Sequence, residues 1–195
     1  MSDSTLPAFW TGRYLSGKTP WDFHGVPHAV KRFLAAPPSA PSNILVPGCG
    51  SGYEVKAFQD AGLNVTAIDF SPAAVDRTQQ LAGSTGATIL LGDFFAHDFP
   101  RRHFDLIYER TFLCSLPPSR WRSYSERMAA LLKANGRLVG IFLYGTESEP
   151  PPYPLTTTNA RELFAKDFQL IRDEPVSDSL PIFQGMERWQ EWRRT

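Results

Sequence analysis

Apolar and polar positions along the chain follow two alternating periods. Largely apolar runs of strand length occupy residues 44–46, 63–68, 89–91, 104–108 and 138–144. Between them, apolar residues return at helical spacing. Val55 and Phe58, with Ala57 and Ala61, mark one helical face, and Gly62 is placed to end it. Ser71 and Pro72 supply the N-cap and first-turn signals of the next helix. Pro117-Pro118 introduces a third, with Tyr124, Met128, Leu131 and Leu132 inward and a stop expected near Asn135-Gly136. Asn159, with Glu162 three residues on, predicts a capping pair for a helix over 160–166. Residues 168–172 and 186–192 predict an antiparallel pair, joined by a loop that contains Pro181 and Gly185. The alternation predicts an α/β fold: a seven-stranded, mostly parallel sheet with helices on both faces and one antiparallel strand at the edge. The proline-rich stretch 149–154 can be neither helix nor central strand, so it predicts a stiff loop over the carboxyl edge of the sheet, suited to cover a pocket.

The first strand and helix meet in Pro47-Gly48-Cys49-Gly50-Ser51-Gly52-Tyr53-Glu54. Glycines at such a turn let the backbone approach a ligand that side chains would displace. The second apolar run ends in Asp69, where a carboxylate can accept hydrogen bonds from both hydroxyls of a ribose. A dinucleotide fingerprint would need a further glycine where Tyr53 stands, and a phosphate-binding Walker loop would need Gly-Lys-Ser/Thr. Glu54 at the helix start also opposes a pyrophosphate and suits a ligand bearing a sulfonium and an ammonium. S-adenosylmethionine meets that description. The third run ends in Gly92-Asp93-Phe94-Phe95, which places a carboxylate for an adenine amine and a ring beside it.

Composition narrows the function further. A chain of 195 residues with 42% hydrophobic and 13% aromatic residues is expected to form one domain with a real core. Its 20 basic and 20 acidic residues cancel, leaving no overall field to gather nucleic acid. Cys49 and Cys114 are too few for a disulfide framework. With no leader-like apolar segment and no 18-residue apolar span, the expectation is a cytoplasmic protein without membrane contact.

These motifs together resemble the S-adenosylmethionine-dependent methyltransferases of the thiopurine methyltransferase superfamily, and within it the halide and thiocyanate (thiol) branch. Leu45-Val46-Pro47-Gly48-Cys49-Gly50 is similar to that family's cofactor loop, Gly92-Asp93-Phe94-Phe95 to its adenine segment and Phe104-Asp105-Leu106-Ile107 to its fourth strand. Trp10, Tyr14 and Thr19-Pro20-Trp21-Asp22 stand at the spacing of the aromatic segment that covers the cofactor in the halide and thiol branch. The resemblance implies a Rossmann-like class I methyltransferase, with residues 1–40 as the covering segment and 41–195 as the core. The candidate cofactor residues are Trp10, Tyr14, Trp21, Gly48, Cys49, Gly50, Asp69, Phe70, Asp93, Phe94, Glu109 and Arg110. Trp21, Arg110 and Tyr153 are the candidates for the acceptor side. Arg110 follows Glu109 as in the thiopurine branch, and Pro151-Pro152-Tyr153 resembles the halide and thiol branch. Pro-Pro-Tyr also occurs in amino-methylating DNA enzymes, but after the fourth strand, whereas here it follows the fifth.

Methyl transfer from a sulfonium is a direct displacement, so the protein aligns the acceptor and excludes water. Aromatic faces attract the sulfonium without competing for its methyl group. An acceptor that is already an anion needs no base, and the sequence offers no catalytic dyad and no metal-ligand set. His24, His28, Cys49 and Cys114 read as structural. The resulting expectation is a monomer or weak homo-oligomer that methylates a thiol, sulfide, thiocyanate, halide or thiopurine. A non-catalytic S-adenosylmethionine sensor and a nicotinamide oxidoreductase are the alternatives.

Overall fold

The computed structural model describes residues 4–36, 42–146, 149–183 and 185–195. The expected boundary at residues 40 and 41 lies outside them. The chain forms two compact halves, Met1–Asp98 and Phe99–Thr195.

The first half opens with two helices, α1 (Pro7–Leu15) and α2 (His28–Ala35). It continues through β1 (Asn43–Pro47), α3 (Tyr53–Asp60), β2 (Asn64–Asp69), α4 (Pro72–Ala82) and β3 (Thr88–Leu91). Its strands run parallel in the order β3-β2-β1, with Leu45 opposite Thr66 and Asp69 opposite Leu91. Ile44, Leu45 and Val46 are all buried, as an unbroken apolar run covered on both faces requires. The expected starts and stops hold here. Ser71 caps α4 by accepting from the Ala74 N–H, and Gly62, at φ +85°, follows α3.

The second half contains β4 (Phe104–Arg110), α5 (Pro118–Leu131), β5 (Leu132–Leu143), α6 (Thr157–Phe164), β6 (Phe168–Pro175) and β7 (Glu187–Arg194). Its strand order is β4-β5-β7-β6, with β4 and β5 parallel and β7 antiparallel to both of its neighbours. The antiparallel strand is therefore interior, and β6 holds the edge. Two element boundaries also differ from expectation. Helix α5 ends at Leu131, and Asn135-Gly136 lies within β5, where Asn135 has φ +60° and the register with β4 shifts between Phe104 and Leu106. Helix α6 is capped by Thr156, whose side chain accepts from the Asn159 N–H while Asn159 returns the bond to the Thr156 N–H. Asn159 is thus the third helical residue, closing a capping box that Thr156 opens, rather than the N-cap.

Candidate cofactor and acceptor sites

The glycine turn is held by bonds to β2 and α4 as well as by its own backbone. The N–H of Cys49 donates to the Ile68 carbonyl, that of Gly52 to the Cys49 carbonyl, and that of Gly50 to Asp69 Oδ2 at 3.1 Å. Gly48, Gly50 and Gly52 all have φ between 58° and 80°, the left-handed region where only glycine is unstrained. Thr78 on α4 holds the turn from behind. Its hydroxyl donates to the Gly50 carbonyl at 2.9 Å, and its Cα lies 2.8 Å from where a Gly52 Cβ would stand. Two of the turn's N–H groups are thus spent on β2 and one within the turn, which leaves fewer donors for a pyrophosphate. Asp69 sits at the carboxyl end of β2 with 8% of its surface exposed. Oδ1 accepts from the Ser71 N–H at 2.9 Å, and the Phe70 backbone also bonds the carboxylate, so backbone donors take part of its accepting capacity. Burial raises its pKa to about 6 in spite of those bonds. Cys49 is buried, 3.5 Å from the Thr78 hydroxyl, and burial pushes its thiol well up, away from thiolate chemistry.

The aromatic residues expected to cover the cofactor form one cluster. Trp21 stands edge-on to Trp10 at 5.3 Å and to Tyr14 at 6.1 Å. Both indoles are partly exposed, whereas Tyr14 is buried against Ala73 and Ala74 of α4. The Tyr14 hydroxyl lies 2.8 Å from the position of a Gly50 Cβ. Burial first, and then the Asp69 charge, push its phenol far up, so it stays neutral. Arg77 donates to the Tyr14 carbonyl, and its guanidinium lies over the Tyr14 ring at 5.2 Å. The sequence reading missed Thr11, Arg77 and Thr78, and gave Asp22 and Ser51 no role of their own within the motifs that contain them. Each acts on a partner distant in sequence, so no local pattern marks it.

Beyond β3, the Gly92 N–H donates to the Asp69 carbonyl at 2.9 Å and brings Asp93 to the same strand ends. Asp93 is exposed, and its Oδ1 accepts from the Phe95 N–H at 2.8 Å. Phe94 is 4% exposed and packs edge-to-face on Phe95, the more open ring of the pair. Phe70, between Asp69 and Ser71, is partly exposed.

In the second half, Glu109 departs from its expected role. Its carboxylate is 1% exposed. Oε1 accepts from the N–H groups of Phe112 and Leu113 at 3.0 and 2.9 Å, and Oε2 accepts from the Tyr124 hydroxyl at 2.7 Å. The Glu109 carboxylate is therefore a buried staple for the turn after β4. The main-chain N–H of Tyr153 donates to the Cys114 carbonyl at 2.7 Å and ties the proline-rich stretch to that same turn. Arg110, partly buried at the end of β4, and Tyr153 thus border one turn. A small cavity beside it is lined by Glu109, Thr111, Cys114, Ile141 and Leu155, among others.

Burial lifts the Glu109 pKa to about 7. The folded protein therefore holds this proton between the ordinary carboxylate range and pH 7, where the unfolded chain has lost it. Stability is lost as pH rises through that window, by about 3 kcal/mol at most for a shift of this size. Glu109→Gln is expected to flatten the fall in melting temperature between pH 5 and pH 8 by several degrees, as read by thermal denaturation. An unchanged pH dependence would remove Glu109 as its source.

The residues of the first half fit S-adenosylmethionine: a carboxylate at a strand end for a ribose, indoles for a sulfonium, and a glycine turn whose backbone a ligand can approach. The fold and this site define a class I methyltransferase. The family profile of thiopurine S-methyltransferase matches residues 5–194. A probable thiol methyltransferase 2 of Arabidopsis thaliana is 32% identical over 193 residues, covering 95% of this chain and 84% of that protein. A thiopurine S-methyltransferase of Nitrosospira multiformis is 28% identical over 172 residues, 76% of this chain and 77% of that protein. The solved 1,6-didemethyltoxoflavin-N1-methyltransferase of Burkholderia thailandensis, with 1,6-didemethyltoxoflavin and S-adenosylhomocysteine bound, shares the fold. Its TM-score is 0.76, over 97% of this chain and 87% of that one at 20% identity. The chain belongs to the thiopurine S-methyltransferase family and is an S-adenosylmethionine-dependent methyltransferase.

Proposed function

We propose that the chain methylates a small, soft, anionic nucleophile, a thiolate, hydrosulfide, thiocyanate or halide, in preference to a thiopurine. The observation that carries this reading is the 32% identity, over 95% of the chain, to a probable thiol methyltransferase. The cofactor supplies a methyl group made electrophilic by a sulfonium. The protein's part is alignment and exclusion of water. Asp69 holds the ribose, Gly48 and Gly50 let the methionine portion approach, Trp10, Tyr14 and Trp21 wall the sulfonium, and Asp93 with its neighbours holds the adenine. Arg110 offers a cation to steer an anionic acceptor, and Tyr153 covers it. An acceptor that arrives as an anion leaves no proton to remove, in keeping with a buried Glu109 carboxylate that is already bonded to three donors.

Among the described residues no helix is long and apolar enough to cross a membrane. Two buried free thiols suit a reducing cytoplasm, and we propose that the enzyme works there as a monomer or weak homo-oligomer.

The test is S-adenosylhomocysteine release by purified protein with sulfide, thiocyanate, iodide, a small thiol and a thiopurine, against a blank without acceptor. Turnover of a small anion well above that of the thiopurine is expected. Turnover of the thiopurine alone would overturn the assignment, and cofactor binding without turnover on any acceptor would favour a sensor. Tyr153→Ala should raise the Michaelis constant of the acceptor several-fold and leave S-adenosylhomocysteine affinity nearly unchanged. The reverse pattern would assign Tyr153 to the cofactor.

A further inference from the structure

The aromatic segment meets the glycine turn and the start of α4 at polar contacts as well as apolar ones. The Ser51 hydroxyl donates to Asp22 Oδ2 at 2.5 Å. The hydroxyls of Thr11 and Ser71 are 2.9 Å apart. Each partner on the receiving side belongs to a loop that the cofactor reading already uses. Ser51 follows Gly50, and Ser71 gives its N–H to Asp69.

Asp22 differs from the other contacts in what its second oxygen does. Oδ1 accepts from the His24 N–H at 2.9 Å, and the Asp22 N–H donates to the Thr19 carbonyl at 2.9 Å. Both bonds close the short turn that presents Trp21. The Asp22 side chain is 7% exposed, and the His24 imidazole lies 3.8 Å away with its own side chain largely in solvent. A carboxylate so nearly buried is held by its hydrogen bonds. One of its oxygens shapes the turn under Trp21, and the other fastens that turn to Ser51.

We propose that Asp22 is a positioning residue that hooks the aromatic segment onto the glycine turn, fixing Trp21 relative to Gly50. The proposal rests on the reading of the glycine turn as the S-adenosylmethionine loop. Trp21 itself is only partly buried; its indole hydrogen-bonds the Tyr14 side chain, and its ring contacts with Trp10 and Tyr14 are edge-on. Edge-on ring contacts tolerate sliding and the Trp21–Tyr14 bond lies within the segment, whereas the bond from Ser51 to Asp22 sets one register between segment and turn. Ordering the segment before the cofactor arrives lowers the entropy lost on binding.

The experiment combines hydrogen exchange on the free protein with calorimetry of S-adenosylhomocysteine binding, for the unaltered chain, Asp22→Ala, Asp22→Asn, Ser51→Ala and the double variant Asp22→Ala with Ser51→Ala. Exchange protection over residues 8–24 should be lost in Asp22→Ala and Ser51→Ala and kept in Asp22→Asn, whose side-chain amide can still bond both the turn and Ser51. Affinity should fall about tenfold in each alanine variant, the loss expected for one charge-assisted hydrogen bond. The double variant should bind no more weakly than Asp22→Ala alone, because the two side chains share one interaction. Unchanged protection in Asp22→Ala, or losses that add in the double variant, would overturn the proposal. Loss of protection in a protein whose unaltered form binds no S-adenosylhomocysteine would support the hook and sink the cofactor reading instead.

Discussion

Asp69→Ala is expected to weaken S-adenosylhomocysteine binding by more than tenfold, and by up to about a hundredfold if both ribose hydroxyls donate to the carboxylate. Backbone N–H groups of Gly50, Ser71 and Phe70 already bond the carboxylate, which leaves only part of its accepting capacity for the ligand. Alanine removes both sets of bonds. Asp69→Asn serves as the second variant, because its amide can keep one backbone donor satisfied and so separates loss of the ligand bond from collapse of the turn. The pH dependence gives an independent reading. The Asp69 pKa stands at about 6, raised by burial, and the ionised form is the better acceptor for two hydroxyls. Affinity should therefore be flat above pH 6 and fall as pH drops below it, approaching roughly tenfold per pH unit. Calorimetry between pH 5 and pH 8 checks this, and the slope should vanish in Asp69→Asn. Equal affinity for Asp69→Ala and the unaltered chain would take Asp69 out of the site.

How much of this site was legible in the sequence depends on how local its causes are. The glycine turn, Asp69 and the Ser71 cap were readable because each is fixed within a few residues: glycine for φ above zero, a carboxylate at a strand end, a hydroxyl before Pro72. Asn135-Gly136 was misplaced for an instructive reason. The pair does signal a left-handed turn, and Asn135 takes one, but the residue types do not say which element contains it. The chain enters β5 as soon as α5 ends, because Leu132 has a ladder partner in Phe104, a pairing that no local window contains. The interior place of β7 is equally non-local, since a strand's neighbours are settled by which faces must be covered. Glu109 was legible as a carboxylate next to Arg110 but not as a buried one. Its donors include Tyr124, which reaches it from α5. Asp22 and Ser51 fall in the same class: two ordinary polar residues that acquire a role once the chain has folded.

Glycine gives the second large effect, at a position with no part in ligand binding. Gly140 lies in β5 directly opposite Glu109 of β4, at φ +157°. A Cβ there would overlap the Glu109 carbonyl and crowd its main-chain N and C as well. Those are backbone atoms of a paired strand and cannot turn aside as a side-chain tip would. Gly140→Ala must therefore push β4 and β5 apart at the residue whose carboxylate staples the following turn. The expected cost is about 4 kcal/mol or more, in the range reserved for steric failure inside a core. For a chain of this size that is roughly 10 °C or more off the melting temperature. Gly12 supplies the contrast. It lies inside α1, and a Cβ added there would meet nothing within 4 Å, so Gly12→Ala should be neutral or stabilising by roughly 0.5–1 kcal/mol through helix propensity alone. Thermal denaturation of the two variants side by side decides the matter. A Gly140→Ala protein that melts with the unaltered chain would mean that β4 and β5 can separate at Glu109 without cost, and the staple at the turn would then have to be explained without a tight strand pair beneath it.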